Sequence, residues 1–220
     1  MQLSHKVTII ENILNANDQI AEENAKLLQQ HDIYCLNIMA SPGAGKTSLI
    51  LKTIENLTDQ MRIAIIEGDT APVTIDADKI NAVGIHAVQI NTGGDCHLDA
   101  PMIKSALLNL PLDQIDLIII ENVGNLICPA AFKLGSNLNI VVASIPEGDD
   151  KPYKYPNIYR GIDALILNKI DLITYVDFNF DYFKKGIEIL NPGVSIFEIS
   201  CKTGKGIETW TNWLKEKVIQ

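Results

Sequence analysis

The glycine-rich stretch at residues 41–48 constrains the fold of this 220-residue chain more than any other part of it. It follows a short apolar run at 34–38 and precedes a helix-like apolar pattern that starts at Leu49. Strand, glycine-rich loop and helix in this order, with Gly-Lys-Thr at the junction, are typical of a P-loop, whose backbone N–H groups point at phosphate oxygens. The sequence therefore predicts that the chain binds a nucleoside triphosphate.

Within this loop each residue type has an expected role. Lys46 is expected to reach the β- and γ-phosphates, and the Thr47 hydroxyl to bind Mg²⁺. Ala40 stands where the first glycine of the usual motif would be, which is tolerated if its φ is negative. The residues expected to bind the nucleotide are Gly43, Ala44, Gly45, Lys46, Thr47 and Ser48.

Apolar runs recur along the chain and are separated by helix-like segments. These runs lie at 34–38, 62–66, 85–90, 116–121, 138–143, 164–168 and 194–199. Since they are apolar throughout rather than alternating, they predict strands with both faces covered. We therefore expect a P-loop NTPase fold of the α/β class, with a doubly wound, mostly parallel sheet flanked by helices. Ligands in such folds bind at the carboxyl ends of the strands.

The segment before the first strand is expected to be helical. Apolar spacing over residues 4–30 fits an amphipathic helix with Ser4 as its N-cap, and a polar gap at 15–19 leaves open a break between two helices. A further helix is predicted over 98–110. Because the sequence shows no linker or repeat, we expect one domain over 1–220, with an N-terminal extension at 1–32 and a nucleotide-binding core at 33–217.

The composition of the chain indicates which classes of binding partner are disfavoured. A formal net charge of −9 disfavours a nucleic-acid partner, since a phosphate backbone attracts basic surfaces. No apolar run approaches the length of a membrane span, so we expect no membrane partner and a cytoplasmic location. In that compartment the four cysteines are expected to be reduced.

Asn168-Lys169-Ile170-Asp171 follows a buried strand and points to guanine as the base. The Asp171 carboxylate can accept hydrogen bonds from guanine N1–H and the exocyclic amine, which adenine does not offer in that arrangement. Lys169 would lie over the purine face. A second base loop contains Ser200, Cys201 and Lys202 and can offer a backbone N–H to guanine O6. The nucleotide is therefore expected to be GTP or GDP.

Magnesium requires hard oxygen ligands near the phosphates. Glu121 ends a predicted strand and occupies the Walker-B position, where aspartate is commoner. Asp69 and Asp76 follow the strand after the P-loop, where a nucleotide-sensing switch would lie. Asp69 is favoured because Gly68 frees the neighbouring backbone. With Lys46 and Thr47, we expect Asp69 and Glu121 to support catalysis.

A second group of residues suits a softer metal. Cys96 and His97 are adjacent, and Cys128 follows residues 121–127. Thiolate and imidazole ligands favour Zn²⁺, Ni²⁺ or copper over Mg²⁺. Three such ligands fall short of a closed tetrahedral site, which suggests a labile site or one completed across a dimer axis. The alternative is that these cysteines only pack.

Several strings together resemble the HypB family, the hydrogenase nickel-incorporation GTPases of the SIMIBI class, over residues 33–214. The strings are Ala-Ser-Pro-Gly-Ala-Gly-Lys-Thr at 40–47, Glu-Gly-Asp at 67–69, Asn-Thr-Gly-Gly-Asp-Cys-His-Leu-Asp-Ala at 91–100, Glu-Asn-Val-Gly-Asn-Leu-Ile-Cys-Pro-Ala at 121–130, Glu-Gly-Asp-Asp-Lys-Pro-Tyr-Lys-Tyr-Pro at 147–156 and Asn-Lys-Ile-Asp at 168–171. The resemblance implies a GTPase that binds nickel or zinc through Cys96, His97 and Cys128 at a GTP-dependent homodimer interface. It further implies nickel delivery during [NiFe]-hydrogenase maturation, with a maturation partner that exchanges nickel and the hydrogenase large subunit as an indirect partner.

The chain departs from this family pattern at its N-terminus. Some members carry an N-terminal cysteine motif or histidine-rich tract for nickel, whereas residues 1–32 hold no cysteine and only His5 and His31. The stretch 151–156 recurs in the family; it is either a solvated loop or brings Lys154 to the nucleotide or the partner subunit. With no evident glutamine or arginine finger, intrinsic hydrolysis is expected to be slow.

Other functions remain open at this point. The urease-assembly GTPases share the P-loop but carry Cys-Pro-His in place of Cys-His. A GTP-binding regulatory module with structural cysteines is a second alternative. A small-molecule P-loop kinase is a third, which the Asn-Lys-x-Asp element disfavours.

Overall fold

The seven predicted strands form one parallel sheet. The computed structural model describes the backbone of residues 3–70 and 85–219, and the side chains of 15–70 and 85–219. The strands are β1 Tyr34–Ala40, β2 Ile63–Asp69, β3 His86–Asn91, β4 Leu117–Glu121, β5 Leu138–Ser144, β6 Ala164–Asn168 and β7 Ser195–Glu198. Their order is β3-β2-β4-β1-β5-β6-β7, and every adjacent pair is parallel. The predicted fold class is confirmed.

Helices cover both faces of this sheet. They are α1 Leu3–Gln30, α2 Lys46–Leu57, α3 Ala100–Leu107, α4 Lys151–Lys154, α5 Pro156–Arg160, α6 Phe180–Leu190 and α7 Ile207–Ile219. Short 3₁₀ turns at Leu112–Gln114, Cys128–Ala131, Ile145–Glu147 and Ile170–Tyr175 follow or precede strands. Helices supply the crossover connections that a parallel sheet needs between β1 and β2, β3 and β4, β5 and β6, and β6 and β7.

The core divides between the two faces. On one face α2 and α7 pack on the sheet through Ile50 and Trp210, both fully buried. On the other face α3 packs through Ile103 and α6 through Phe183, which are equally inaccessible. Burial on both sides explains why the strands read as continuous apolar runs.

Helix α1 is one continuous helix, so the proposed break at 15–19 is wrong. Asn17 in this gap and Asn24 farther along the helix are buried polar residues that bond to other segments. Asn17 accepts a hydrogen bond from the Ala100 N–H at 2.8 Å, and Asn24 donates to the Ala100 carbonyl at 2.9 Å. Ser4 lies inside α1 and is not its N-cap.

The helix predicted over 98–110 is shorter than expected. It begins at Ala100, since Asp99 is its N-cap and accepts a hydrogen bond from the Met102 N–H at 2.8 Å. Leu98 lies outside the helix and is fully buried. Within the described ranges, no helix is both long and apolar enough to cross a membrane.

Candidate nucleotide-binding and metal-binding site

The P-loop connects the end of β1 to the start of α2. Gly43 and Gly45 have φ values of 75° and 104°, a backbone conformation that favours glycine. A Cβ on Gly45 would also collide with the Asn168 side-chain amide. Ala40 belongs to β1 and does not have a positive φ, so alanine is tolerated there as expected. The loop thus has the backbone that a phosphate cradle requires.

Thr47 and Glu121 meet beside this loop. The Thr47 hydroxyl donates a hydrogen bond to Glu121 Oε1 at 2.9 Å. Glu121 ends β4, which lies next to β1 in the sheet, and its side chain is buried. The pair brings together two of the oxygen ligands expected for Mg²⁺.

Lys46 lies among carboxylates. Burial lowers the pKa of Lys46, and the charges of Glu121, Glu147 and Asp69 oppose that shift. Asp69 therefore faces the same region as Glu121, at the end of the neighbouring strand β2. Asp76 lies outside the described residues.

Glu147 belongs to this site although no role for it could be predicted from the sequence. Its carboxylate accepts hydrogen bonds from the Ser41 hydroxyl of the P-loop and from the Ser144 hydroxyl, the latter at 2.7 Å. It is the first acidic residue after β5, and that position at a strand's carboxyl end was the available signal. Glu147 supports the P-loop from the side opposite Glu121.

The predicted base loop is bonded directly to the P-loop. The Asn168 side-chain amide donates to the Ala44 carbonyl at 3.1 Å, and the Lys169 ammonium donates to the Gly43 carbonyl at 2.6 Å. Lys169 itself has a φ of 62°, uncommon outside glycine. These contacts join the end of β6 to the loop before α2.

The second base loop completes a cavity. The Ser200 hydroxyl donates to Asp171 Oδ1 at 2.6 Å, and the Cys201 N–H donates to Asn168 Oδ1 at 3.3 Å. The cavity has a volume of about 510 Å³, which is large enough for a purine nucleoside. Its lining includes Gly45, Ser48, Asn168, Lys169, Asp171, Cys201 and Lys202.

Cys96, His97 and Cys128 lie together although 32 positions separate the two cysteines. One ligand atom from each lies within 4.8 Å of the others, and the two sulfur atoms are 3.0 Å apart. His97 Nδ1 is buried and has no hydrogen-bond partner among the described residues. A buried ring nitrogen without a partner, beside two thiols, fits a soft divalent metal such as Ni²⁺ or Zn²⁺.

The surroundings of these ligands fix their positions. The His97 ring lies 3.9 Å from the Phe132 ring, between centroids. The Asn125 amide donates to the Cys96 carbonyl at 3.2 Å, which bonds the two loops to each other. The hydrogen bond with Cys96, followed by desolvation, raises the pKa of Cys128. A metal that binds both sulfurs therefore has to displace thiol protons.

The remaining cysteines are placed differently. All four thiols are free in the structure. Burial raises the pKa of Cys35 to about 12, and it raises that of Cys201, at the base cavity, to about 11.

The two sites are in contact through residues 121–128. This segment begins at Glu121, beside Thr47, and ends at Cys128 in the thiol pair. A Cβ on Gly124 would lie 3.1 Å from the backbone of Pro42, so the segment packs closely against the P-loop. Residues 121–128 therefore connect the P-loop to the Cys–His–Cys group by direct packing.

The solvated-loop alternative for 151–156 is wrong. Residues 151–154 form α4 and residues 156–160 form α5. Pro152 is buried, and the Tyr153 ring stacks on the Tyr182 ring with 4.4 Å between centroids. Lys154 forms an ion pair with Asp150 at 2.5 Å. Contact of Lys154 with a nucleotide or second subunit stays a prediction.

Comparison with known proteins agrees with this geometry. Residues 34–198 match a family model described as the CobW/HypB/UreG nucleotide-binding domain. A hydrogenase maturation factor HypB from Rhizobium leguminosarum bv. viciae is 42% identical over 95% of this chain and 70% of its own length. A probable hydrogenase maturation factor HypB from Methanocaldococcus jannaschii is 41% identical over 99% of this chain and 98% of its own. The crystal structure of HypB from Helicobacter pylori in complex with nickel superposes with a TM-score of 0.87 at 40% identity, over 92% of this chain and 95% of that one.

Proposed function

Since this chain belongs to the CobW/HypB/UreG family, and within it to the HypB hydrogenase maturation factors, we propose that it is a GTP-hydrolysing metallochaperone. It binds nickel or zinc and delivers nickel during maturation of [NiFe]-hydrogenase. The main support is the segment 121–128. It begins at Glu121, which accepts a hydrogen bond from Thr47 of the P-loop, and ends at Cys128, which lies with Cys96 and His97 in the candidate metal site.

Nucleotide binding is supported by the hydrogen bonds that already join the base loop at 168–171 to the P-loop. Lys46 would bind the β- and γ-phosphates, while Thr47, Glu121 and Asp69 would hold Mg²⁺, which neutralises phosphate charge when it is bound. Asp171, held by Ser200, would select guanine. Preformed hydrogen bonds between the loops reduce the ordering cost of binding GTP.

The metal half is supported by the donor set and its exposure. Cys96 is exposed, and three protein ligands leave a coordination position for a fourth donor. Ile127, next to Cys128, is 66% exposed. An exposed apolar side chain at this position suits an interface that forms only in the GTP-bound state. We infer that a second copy of the chain covers this surface when GTP is bound.

In this scheme the γ-phosphate draws Glu121 and the end of β2 inward, and the ligand loops follow. GTP binding closes the homodimer and hydrolysis loosens the metal ligands, so that nickel passes to a maturation partner and, through it, to the hydrogenase large subunit. By linkage, the metal must in turn change the affinity for nucleotide or for the second subunit.

The metal assignment is tested by nickel stoichiometry of purified protein after dialysis, measured by plasma mass spectrometry. The Cys96→Ala and Cys128→Ala variants should each lose stoichiometric nickel, because two remaining ligands bind weakly. Cys201→Ala is the matched control and should keep it, since Cys201 lines the base cavity. Nickel retained in a Cys96→Ala, Cys128→Ala double variant would instead favour a regulatory GTPase with structural cysteines.

A further inference from the structure

Asn122 lies where the two sites join. It follows Glu121 at the end of β4 and is 1% exposed. Its backbone N–H donates to the Ile38 carbonyl of β1 at 3.0 Å. The residue is therefore held inside the sheet at the base of the P-loop.

The Asn122 side chain reaches the metal-ligand loop. Its carbonyl oxygen accepts hydrogen bonds from the Leu98 N–H at 3.2 Å and from the Val123 N–H at 2.9 Å. Leu98 directly follows His97. The buried side chain of Asn122, which directly follows Glu121, thus bonds the residue after the proposed metal ligand His97.

Hydrogen bonds to further buried amides fix the orientation of the Asn122 side chain. Its nitrogen donates to Asn37 Oδ1 at 3.2 Å, and the Asn37 nitrogen donates to Asn139 Oδ1 at 3.0 Å. Because Asn37 is on β1 and Asn139 on β5, the row of amides spans three neighbouring strands. Asn122 cannot rotate without breaking buried hydrogen bonds, and a buried polar group left without a partner is destabilising.

Leu98 has little freedom of its own. It is fully buried, and a Cβ on Gly68 in β2 would approach its side chain to 2.7 Å. Leu98 is therefore packed against the strand that ends in Asp69. A shift at the ends of β2 and β4 has to move Leu98, and His97 with it.

We propose that Asn122 is the positioning residue that couples the nucleotide site to the Cys96–His97 loop. This inference rests on the proposed GTP-dependent metal exchange. When Glu121 moves toward Mg·GTP, the Asn122 amide carries the Leu98 N–H with it and brings His97 into register with Cys128. Without the amide, each site keeps its own ligands, but the bound nucleotide no longer changes the affinity for nickel.

The test is the ratio of nickel affinities measured with a non-hydrolysable GTP analogue and with GDP, by competition with a chromophoric chelator. Coupled sites differ by a factor of about 5–150. Asn122→Ala should bind nickel with GDP within about threefold of the parent protein, while the ratio falls close to one. Hydrogen–deuterium exchange at the Leu98 amide should also become faster in this variant, with or without metal.

Asn17→Ala is the matched control. It removes a buried amide that accepts a hydrogen bond from the Ala100 N–H, two residues beyond Leu98. Asn17 belongs to α1, and its amide nitrogen donates to the Lys133 carbonyl rather than to a residue of β4. Its affinity ratio should stay at the parental value. Asn37→Ala, which leaves Asn122 in place but removes its orienting partner, should lower the ratio partially and serves if Asn122→Ala does not fold.

The three unfavourable outcomes distinguish failure of the proposed function from failure of the role of Asn122 alone. A parent protein with equal nickel affinities in both nucleotide states would refute the proposed function and the coupling together. A parent protein with unequal affinities, and an unchanged ratio in Asn122→Ala, would refute only the role of Asn122. Equal weakening of nickel in both states would also refute it, since that result describes a structural residue.

Discussion

Single side chains carry most of the proposed specificity, and Asp171 is the clearest case. The Ser200 hydroxyl bonds one of its oxygens at 2.6 Å, which orients the carboxylate toward the base cavity. Asp171→Asn exchanges an acceptor for a donor at the place where guanine offers N1–H. We expect GDP affinity to fall about 100-fold, from roughly 3 kcal/mol of lost hydrogen bonding to a charged group, and xanthosine diphosphate to bind better.

Fluorescent-nucleotide titration measures both effects. Asp181→Asn is the control, because Asp181 is exposed in the first turn of α6 and does not line the cavity. Unchanged base preference in Asp171→Asn would remove the base assignment.

The cysteines make a second prediction at the residue scale. Since the thiolate is the reactive form, a pKa of about 11 for Cys201 makes its alkylation rise about tenfold per pH unit between pH 7 and 9. Cys35, with a pKa of about 12 and full burial, should be the last to react. Iodoacetamide labelling with peptide mapping measures the order, and Cys96 should react early because it is exposed.

Ligands should protect these thiols selectively. GDP should shield Cys201, which lines the base cavity, and nickel should shield Cys96 and Cys128. Protection of Cys201 by nickel alone, or of Cys96 by GDP alone, would mean that these thiols do not lie at the ligands assigned to them.

At the scale of elements, the packing of α1 on the core depends on the close approach of Gly135 to the backbone of this helix. Gly135 has a φ of 94°, and a Cβ there would lie 2.5 Å from the Ala21 carbonyl oxygen of α1. Gly135→Ala should cost about 2–3 kcal/mol, from backbone strain and the lost helix contact. In a chain of this size that lowers the Tm by about 5–10 °C.

Gly161→Ala is its control, because a Cβ there meets nothing within 4 Å and its φ is −114°. It should leave the Tm within a degree or two. Thermal unfolding followed by circular dichroism compares the two, and equal shifts would contradict this account of how α1 packs.

Element positions could be predicted from the sequence to the extent that they depend on local pattern. The strands followed from continuous apolar runs, and the P-loop from its glycines. Strand β2 continues beyond its apolar residues to Asp69, which pairs with Asn91 of β3, a contact that the apolar pattern does not encode. The continuity of α1 could not be predicted, since the group bonded to Asn17 lies 83 positions away, at Ala100.

The candidate site shows the same division. Short sequence motifs were sufficient to recognise Asn168, Asp171 and the Cys96–His97 pair, because the residues of each motif are adjacent or nearly adjacent in the chain. Asn122 and Glu147 were present in the same strings but had no visible role, because their partners come from other strands and loops. Buried amides that join distant loops are recognisable only from three-dimensional contacts.

At the scale of the whole molecule, the sheet order places the two sites side by side. Strand β4 lies between β2 and β1, so its carboxyl end adjoins both the P-loop and the end of β2. The segment leaving β4 then runs to Cys128. A parallel sheet that ends all its strands at one edge makes a nucleotide-driven metal site possible within a single chain.

The most direct test of this account is nickel affinity and molecular mass, measured on the same protein with Mg·GTP analogue and with Mg·GDP. Chelator competition gives the affinity, and light scattering coupled to size exclusion gives the mass. The account predicts a dimer with at least fivefold tighter nickel binding in the GTP-analogue state, a factor within the range of about 5–150 typical of coupled sites. Equal affinity and equal mass in the two nucleotide states would contradict it.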